Sequence, residues 1–270
     1  MKPSLILSLT VCVASTVVNA QTTLTESSPV FTEQAQEARW GLGLGAALSS
    51  GVYAGQNAQL TPFPLISYEG ERLFWRGIAG GAHLFERDGF AFDATLSARM
   101  DGIDRSDFGR RELAKRGIDR SLLKDRDDGV DLGLAGRWSG AFGELELNIK
   151  RDISSASDGY EAGLTYGYPI QWGQNSLTPH IGVAHLSKKL ANYYYGTLPG
   201  ETARGVVDYR PGRATLQRVG LDYVRPFAER WAFVANVSYA HLPGKITDSP
   251  LVDNDTDGSM SAFFGISRGF

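Results

Sequence analysis

Apolar side chains recur at every second position over stretches of about ten residues, and this pattern most limits the folds open to the chain. In Trp40 to Leu48, Trp40, Leu42, Leu44, Ala46 and Leu48 share one parity, and Gly41, Gly43, Gly45 and Ala47 the other. Phe90, Phe92, Ala94, Leu96 and Ala98 alternate with Ala91, Asp93, Thr95, Ser97 and Arg99. Similar stretches run through Val130–Trp138, Leu145–Ile149, Tyr160–Tyr168 and Trp231–Tyr239. A period of two means strands with one apolar face and one polar or small face. A soluble sandwich also alternates, but its strands run five or six residues. Here aromatic residues (Trp40, Trp138, Tyr168, Trp231, Tyr239) end the apolar faces, as in an interfacial girdle, and ions and glycines line the opposite face. The expectation is an all-β, transmembrane, antiparallel up-and-down barrel spanning 38–270.

The N-terminus agrees with export. Lys2 precedes an apolar run from Leu5 to Val18, and Val18-Asn19-Ala20 reads as a cleavage site leaving Gln21 first. That run is too short to span a bilayer as a helix. The reading is a signal peptide at 1–20 and a polar periplasmic tail at 21–37. Cys12, the only cysteine, lies within the leader, so the mature chain offers neither disulfide nor thiolate. Without Lys2, 26 basic residues face 30 acidic ones, which argues against nucleic acid as a partner. With no second long apolar run, a closed barrel is the remaining way to span a membrane, because it pairs every backbone group internally.

The connections alternate in length. Glu86–Gly89, Ser139–Phe142, Gln171–Asn175 and Pro226–Glu229 are short; Asp101–Asp128, Lys188–Gly212 and Pro243–Asp257 are long. Short periplasmic turns and long outer loops are the expected asymmetry. Asp101–Asp128 carries sixteen charges in 28 residues, eight of each sign, and reads as a solvated, self-paired loop tolerant of truncation; contact with lipopolysaccharide is the alternative. Eleven segments are countable, but two periplasmic termini require an even number. The apolar phase flips near Gly77-Ile78-Ala79-Gly80-Gly81, which is either a tight turn, giving twelve strands, or a bulge, giving ten. Met260, Ala262, Phe264 and Ile266 alternate up to Phe270, and such an end resembles the signal read by the barrel-assembly machinery, although Arg268 stands where Tyr is usual.

Several short motifs occur in a fixed order: Tyr53-Ala54-Gly55, Pro64-Leu65-Ile66-Ser67-Tyr68 followed by Gly70, Asp152-Ile153-Ser154, Asn192-Tyr193-Tyr194-Tyr195-Gly196 and Asp248-Ser249-Pro250-Leu251-Val252. Together they resemble the MipA/OmpV family, from about Trp40 to Phe270. The resemblance implies an outer-membrane barrel. It further implies a scaffold that joins a lytic murein transglycosylase to a penicillin-binding protein; other members are linked to adhesion, osmotic response or drug uptake. It brings no catalytic motif.

The residues themselves offer little chemistry. His83, His180, His185 and His241 lack close metal-ligand spacing, so no catalytic, cofactor or metal site is assigned. In His185-Leu186-Ser187, positions i and i+2 share a strand face, and the spacing looks like that of the lipid A deacylases; the competing reading is a polar strand end with a capping serine. Inward Arg99, Arg137, Glu144, Glu146, Lys150 and Asp222 are placed to pair across the lumen and fill it, which ranks a scaffold ahead of a narrow pore and a pore ahead of a hydrolase. The expected partners are outer-membrane lipids and lipopolysaccharide, the assembly machinery at the strand ending in Phe270, and murein enzymes at the periplasmic rim and the tail. Mass spectrometry of the mature protein should place its N-terminus at Gln21, and boiled and unboiled samples should migrate differently on gels; a helical circular-dichroism spectrum would contradict the barrel.

Overall fold

The computed structural model describes residues 39–270, so the expected leader (1–20) and tail (21–37) lie outside the described residues. The strands are β1 (Trp40–Ser49), β2 (Gln59–Glu69), β3 (Leu73–Arg76), β4 (Ala79–Arg87), β5 (Phe90–Arg99), β6 (Gly129–Gly140), β7 (Gly143–Asp152), β8 (Tyr160–Gly167, continued by Ile170–Trp172), β9 (Asn175–Leu186), β10 (Ala214–Ala228), β11 (Trp231–His241) and β12 (Gly258–Gly269). The two pieces of β8 form one strand, because both pair with β9 and the Tyr168 N–H bonds to the Pro179 carbonyl between them. Each strand pairs antiparallel with its sequence neighbour, and β12 pairs with β1 from Gly41↔Gly269 to Ser49↔Ser261. The result is a closed barrel of twelve antiparallel strands. Closure leaves no row of unpaired groups along the seam, which hydrocarbon would penalise by several kcal/mol per group.

The register is staggered. Pairs run from Trp40 through Tyr68, Trp75 and Gly80 to Leu96, climbing from the periplasmic end of β1 to near the outer end of β5. That climb is the strand tilt that closure demands. The outward faces are apolar, as the alternation requires: Leu42, Leu44, Leu132, Leu147, Ile181, Val219 and Ile266 are all exposed. Trp40 packs on Tyr68 and Trp138 on Phe142 at the periplasmic end, where Trp172 and Trp231 also stand exposed.

The ambiguous stretch is resolved in favour of twelve strands. Gly77 takes φ +62° in a two-residue turn, so Arg76 pairs with Ala79 and the chain reverses. A bulge is present as well, at Leu84, where the β4–β5 register shifts and both Leu84 and Phe85 face outward. These two irregularities together account for the broken phase.

One expectation is corrected. Asp101–Asp128 is not merely a solvated, self-paired loop. With 50–58, 187–213 and 242–257 it folds into a cap over the outer mouth, and the cap has its own hydrophobic core. Phe108, Leu113 and Leu123 from this loop pack with Tyr53, Leu190 and Leu251 from the others, all essentially inaccessible to solvent. The cap includes short helices α1 (Arg110–Ala114), α2 (Lys188–Tyr195), α3 (Pro199–Thr202) and α4 (Gly244–Thr247). Backbone bonds tie the loops to one another, as in Ala54 N–H to Leu251 O (2.9 Å) and Gly109 N–H to Ala54 O (2.7 Å). The charges of the loop sit on a scaffold of apolar residues spaced about five apart, and those residues decide its position. Replacing 105–124 by a short Gly/Ser linker should therefore speed proteolysis of 187–213 while the barrel stays heat-modifiable. Unchanged proteolysis would show that the cap does not depend on this loop.

Candidate functional site

Three groups of polar residues occupy the inner side of the barrel and the cap. The first lies on β2, β3, β4 and β5. His83 stands between two carboxylates, Nδ1 at 2.7 Å from Asp93 and Nε2 at 2.9 Å from Glu69. Arg76 donates to both oxygens of Glu69 and lies over the Phe74 ring, 4.2 Å from its centroid. The bulge at Leu84 creates this contact. A regular hairpin about Asp88-Gly89 would set His83 opposite Ala94, whereas the extra residue moves it opposite Asp93.

The second group is centred on Arg99. Its guanidinium donates to Asp131 (2.9 Å), Asp101 (3.0 Å) and Glu161 (2.9 Å), and Arg218 reaches the other oxygen of Glu161 at 3.3 Å. Arg99, Asp101, Glu161 and Arg218 border a cavity of about 50 Å³ just beneath the cap that Ser238, Ser261, Tyr194 and Tyr239 also line. That space is large enough for a few water molecules. Of the residues expected to cross the lumen, Arg137 approaches Glu146 on the adjoining strand (3.7 Å), and Asp222 meets His180 (3.2 Å) and Asn236 (2.7 Å). The charges therefore pair mainly along the wall, between near neighbours, and the outer end is closed by the cap above them.

The third group holds the cap together. Arg126 and Glu201 are both buried, with the two Arg126 Nη atoms at 2.7 and 3.0 Å from the two carboxylate oxygens. Among the described residues, the remaining side-chain hydrogen bonds of the pair are all to backbone. Arg126 also donates to the carbonyls of Tyr193, Gly196 and Lys124, and Glu201 accepts from the N–H groups of Lys124 and Leu198. One ion pair thus ties the end of the charged loop to α2 and α3. Burial raises the phenols of Tyr53 and Tyr194 above the ordinary tyrosine value, so both stay protonated and donate: Tyr53 to the Tyr194 carbonyl, Tyr194 to the Asp127 carbonyl. Burial also raises the carboxyl of Asp128, and the neighbouring Asp101, Asp104 and Asp127 add to this against the opposing bond from the Gly102 N–H.

His185 and Ser187 have other partners. The His185 Nδ1 pairs with the Thr215 hydroxyl at 3.0 Å. Ser187 is the N-cap of α2, its hydroxyl oxygen accepting from Leu190 N–H (3.4 Å) and Tyr160 N–H (2.9 Å). His241 lies exposed at the outer end of β11. Among the described residues, no group of three or more His, Cys, Asp or Glu side chains is placed to hold a metal ion.

The chain matches the family described as "MltA-interacting protein MipA" over residues 42–270. It is 29% identical to the "Putative outer membrane protein YiaT" of Escherichia coli (strain K12) over 244 residues, covering 89% of this chain and 94% of that protein. It is 27% identical over 228 residues to the "MltA-interacting protein" of the same strain, covering 83% and 88%. Among solved structures, the NanC porin aligns with 85% of this chain and all of its own at 10% identity and a TM-score of 0.46. Likeness that distant carries no functional argument.

Removing one member of the buried cap pair leaves the other uncompensated, a loss of about 3–5 kcal/mol. Arg126→Ala should make the outer loops markedly more sensitive to protease on intact cells. The double variant Arg126→Met/Glu201→Leu should recover much of the resistance. Equal sensitivity of all three proteins would show that the pair does not hold the cap.

Proposed function

The chain belongs to the MltA-interacting protein family, and from that premise we propose that it is a scaffold holding peptidoglycan-remodelling enzymes against the outer membrane. The observation that supports this reading is the asymmetry of the barrel's two ends. The outer mouth is covered by a packed cap, whereas among the described residues the strands at the periplasmic end are joined only by two- and three-residue turns, at 70–72, 88–89, 141–142, 173–174 and 229–230. A low, aromatic-edged rim is a flat platform for a periplasmic partner, and the tail at 21–37 adds a polar segment long enough to reach one. The proposed partners are a murein transglycosylase and a penicillin-binding protein. No group is assigned a catalytic role, and Ser187, as a helix cap, has a structural task.

A narrow pore regulated by the cap is the second reading, favoured by the charged cavity around Arg99 and Arg218 beneath the cap. Mild crosslinking of cell envelopes, followed by detergent extraction and affinity purification of the mature protein, separates the two. Murein enzymes should be recovered, less so when 21–37 is deleted, and planar-bilayer recordings should show little current. Large steady channels with no murein enzyme recovered would put the pore first. Ser187→Ala should leave the acylation pattern of lipid A unchanged by mass spectrometry, and a deacylated species lost in the variant would refute the non-enzymatic reading.

A further inference from the structure

The barrel wall is thinned at one place. β3 has only four residues and pairs with β2 only at Ser67, Tyr68 and Glu69. Above the Gly77-Ile78 turn, residues 59–65 of β2 have no strand partner on this side among the described residues, although β1 pairs with them along the other edge. The direction of each backbone group follows from two bonds. The Glu69 N–H bonds to the Arg39 carbonyl on the β1 side, and the Ile66 carbonyl accepts from Gly77 on the β3 side. Consecutive residues of an antiparallel strand point their polar groups to opposite neighbours. Odd positions of β2 therefore serve β1, and even positions face the open side. Pro62 and Pro64 are even.

Proline has no N–H. At these two positions it removes the donors that would otherwise be unpaired at the open edge, and it denies an incoming strand two of the bonds it would need. The outward side chains of this edge, Leu60, Pro62, Pro64 and Ile66, are all exposed and apolar, so the edge runs through the hydrocarbon layer. Its inward side is apolar as well. Phe63 stacks on Phe263 at 5.4 Å, and Leu65, Val224 and Val234 pack with them, forming an apolar cluster on an inner face that elsewhere carries many polar side chains, among them Asp93, Thr95, Thr178 and Asp222. Gly45 and Gly265 leave room for this cluster, for a Cβ on either would lie within 3 Å of the Phe263 or Leu65 side chain.

We propose that the open edge of β2 is a lateral lipid site, where an acyl chain of the surrounding leaflet lies along Pro62 and Pro64 and reaches the Phe63 cluster behind them. A hydrocarbon chain suits the edge because it asks for no hydrogen bonds from an edge that has given up two donors. A second strand would lose those bonds. The unpaired carbonyls face the notch, where water from the lumen can hydrate them, the condition under which irregular backbone is tolerated at membrane depth.

The mature chain has no cysteine, so single labels can be placed in the whole protein. Phe63→Cys, carrying an environment-sensitive fluorophore, is reconstituted into phosphatidylcholine vesicles with a nitroxide midway along the acyl chain. Leu60→Cys, outward on the same strand, and Asn148→Cys, inward on β7, are the references. Residue 63 points inward, yet its label should lose fluorescence as the Leu60 label does, while the Asn148 label keeps most of its signal. Quenching at 63 no greater than at 148 would overturn the proposal. So would quenching that appears only after 21–37 is deleted, since the protein's own tail would then be the occupant. If Phe63→Cys loses heat-modifiable migration, Thr61→Cys, also inward on β2, takes its place under the same criteria.

Discussion

Where the last strand meets the first, Trp40 and Phe270 exchange backbone hydrogen bonds, and from there β1 and β12 pair along nine residues. That contact joins positions more than two hundred residues apart. Until it forms, β1 and β12 each present an edge of unpaired backbone N–H and C=O groups, and in hydrocarbon each such group costs far more than in water. Closure also imposes the tilt, the tilt imposes the stagger, and the stagger decides which inward residues share a level. The meeting of Arg99 with Glu161, from strands three apart, is a consequence of that geometry.

The outer end obeys different physics. Its loops leave the membrane, where water satisfies backbone groups and an apolar core has to be assembled from whatever the loops carry. The loop of 100–128 supplies Phe108, Leu113 and Leu123, α2 supplies Leu190 and Tyr194, and the Arg126–Glu201 pair fixes their register. A buried pair of this kind adds little net stability, because desolvating two ions offsets most of their attraction. Its effect is on specificity. Most other arrangements of the loops would bury one charge without the other. The barrel thus has a mouth closed by folded structure and a periplasmic rim of tight turns, and the scaffold reading rests on this division together with family membership.

The irregularities of β2, β3 and β4 also have local causes. Gly77 permits the turn that shortens β3, the bulge at Leu84 brings His83 to Asp93, and the two prolines of β2 stand where the shortened strand leaves it without a partner. The motif Pro64-Leu65-Ile66-Ser67-Tyr68 straddles the point where this pairing ends. Its tyrosine is still paired with Trp75, and its proline is beyond the last bond.

The strand positions, the outward faces, the aromatic ends and the side of each loop were legible in the sequence, because a period of two and the length of a connection are local properties. The strand number was legible to within the Gly77 turn. The cap was not, since eight charges of each sign masked apolar residues whose partners lie in three other loops. Neither the Arg126–Glu201 pair, 75 residues apart, nor the Arg99–Glu161 contact, 62 apart, has a local signature. The partners of His185 and Ser187 were equally hidden: sharing a strand parity says which face a side chain takes, and only the packed neighbours, Thr215 and the first turn of α2, decide what it touches. Periodicity along one strand sets the face of each residue; the closed ring, through its tilt and register, sets the company it keeps.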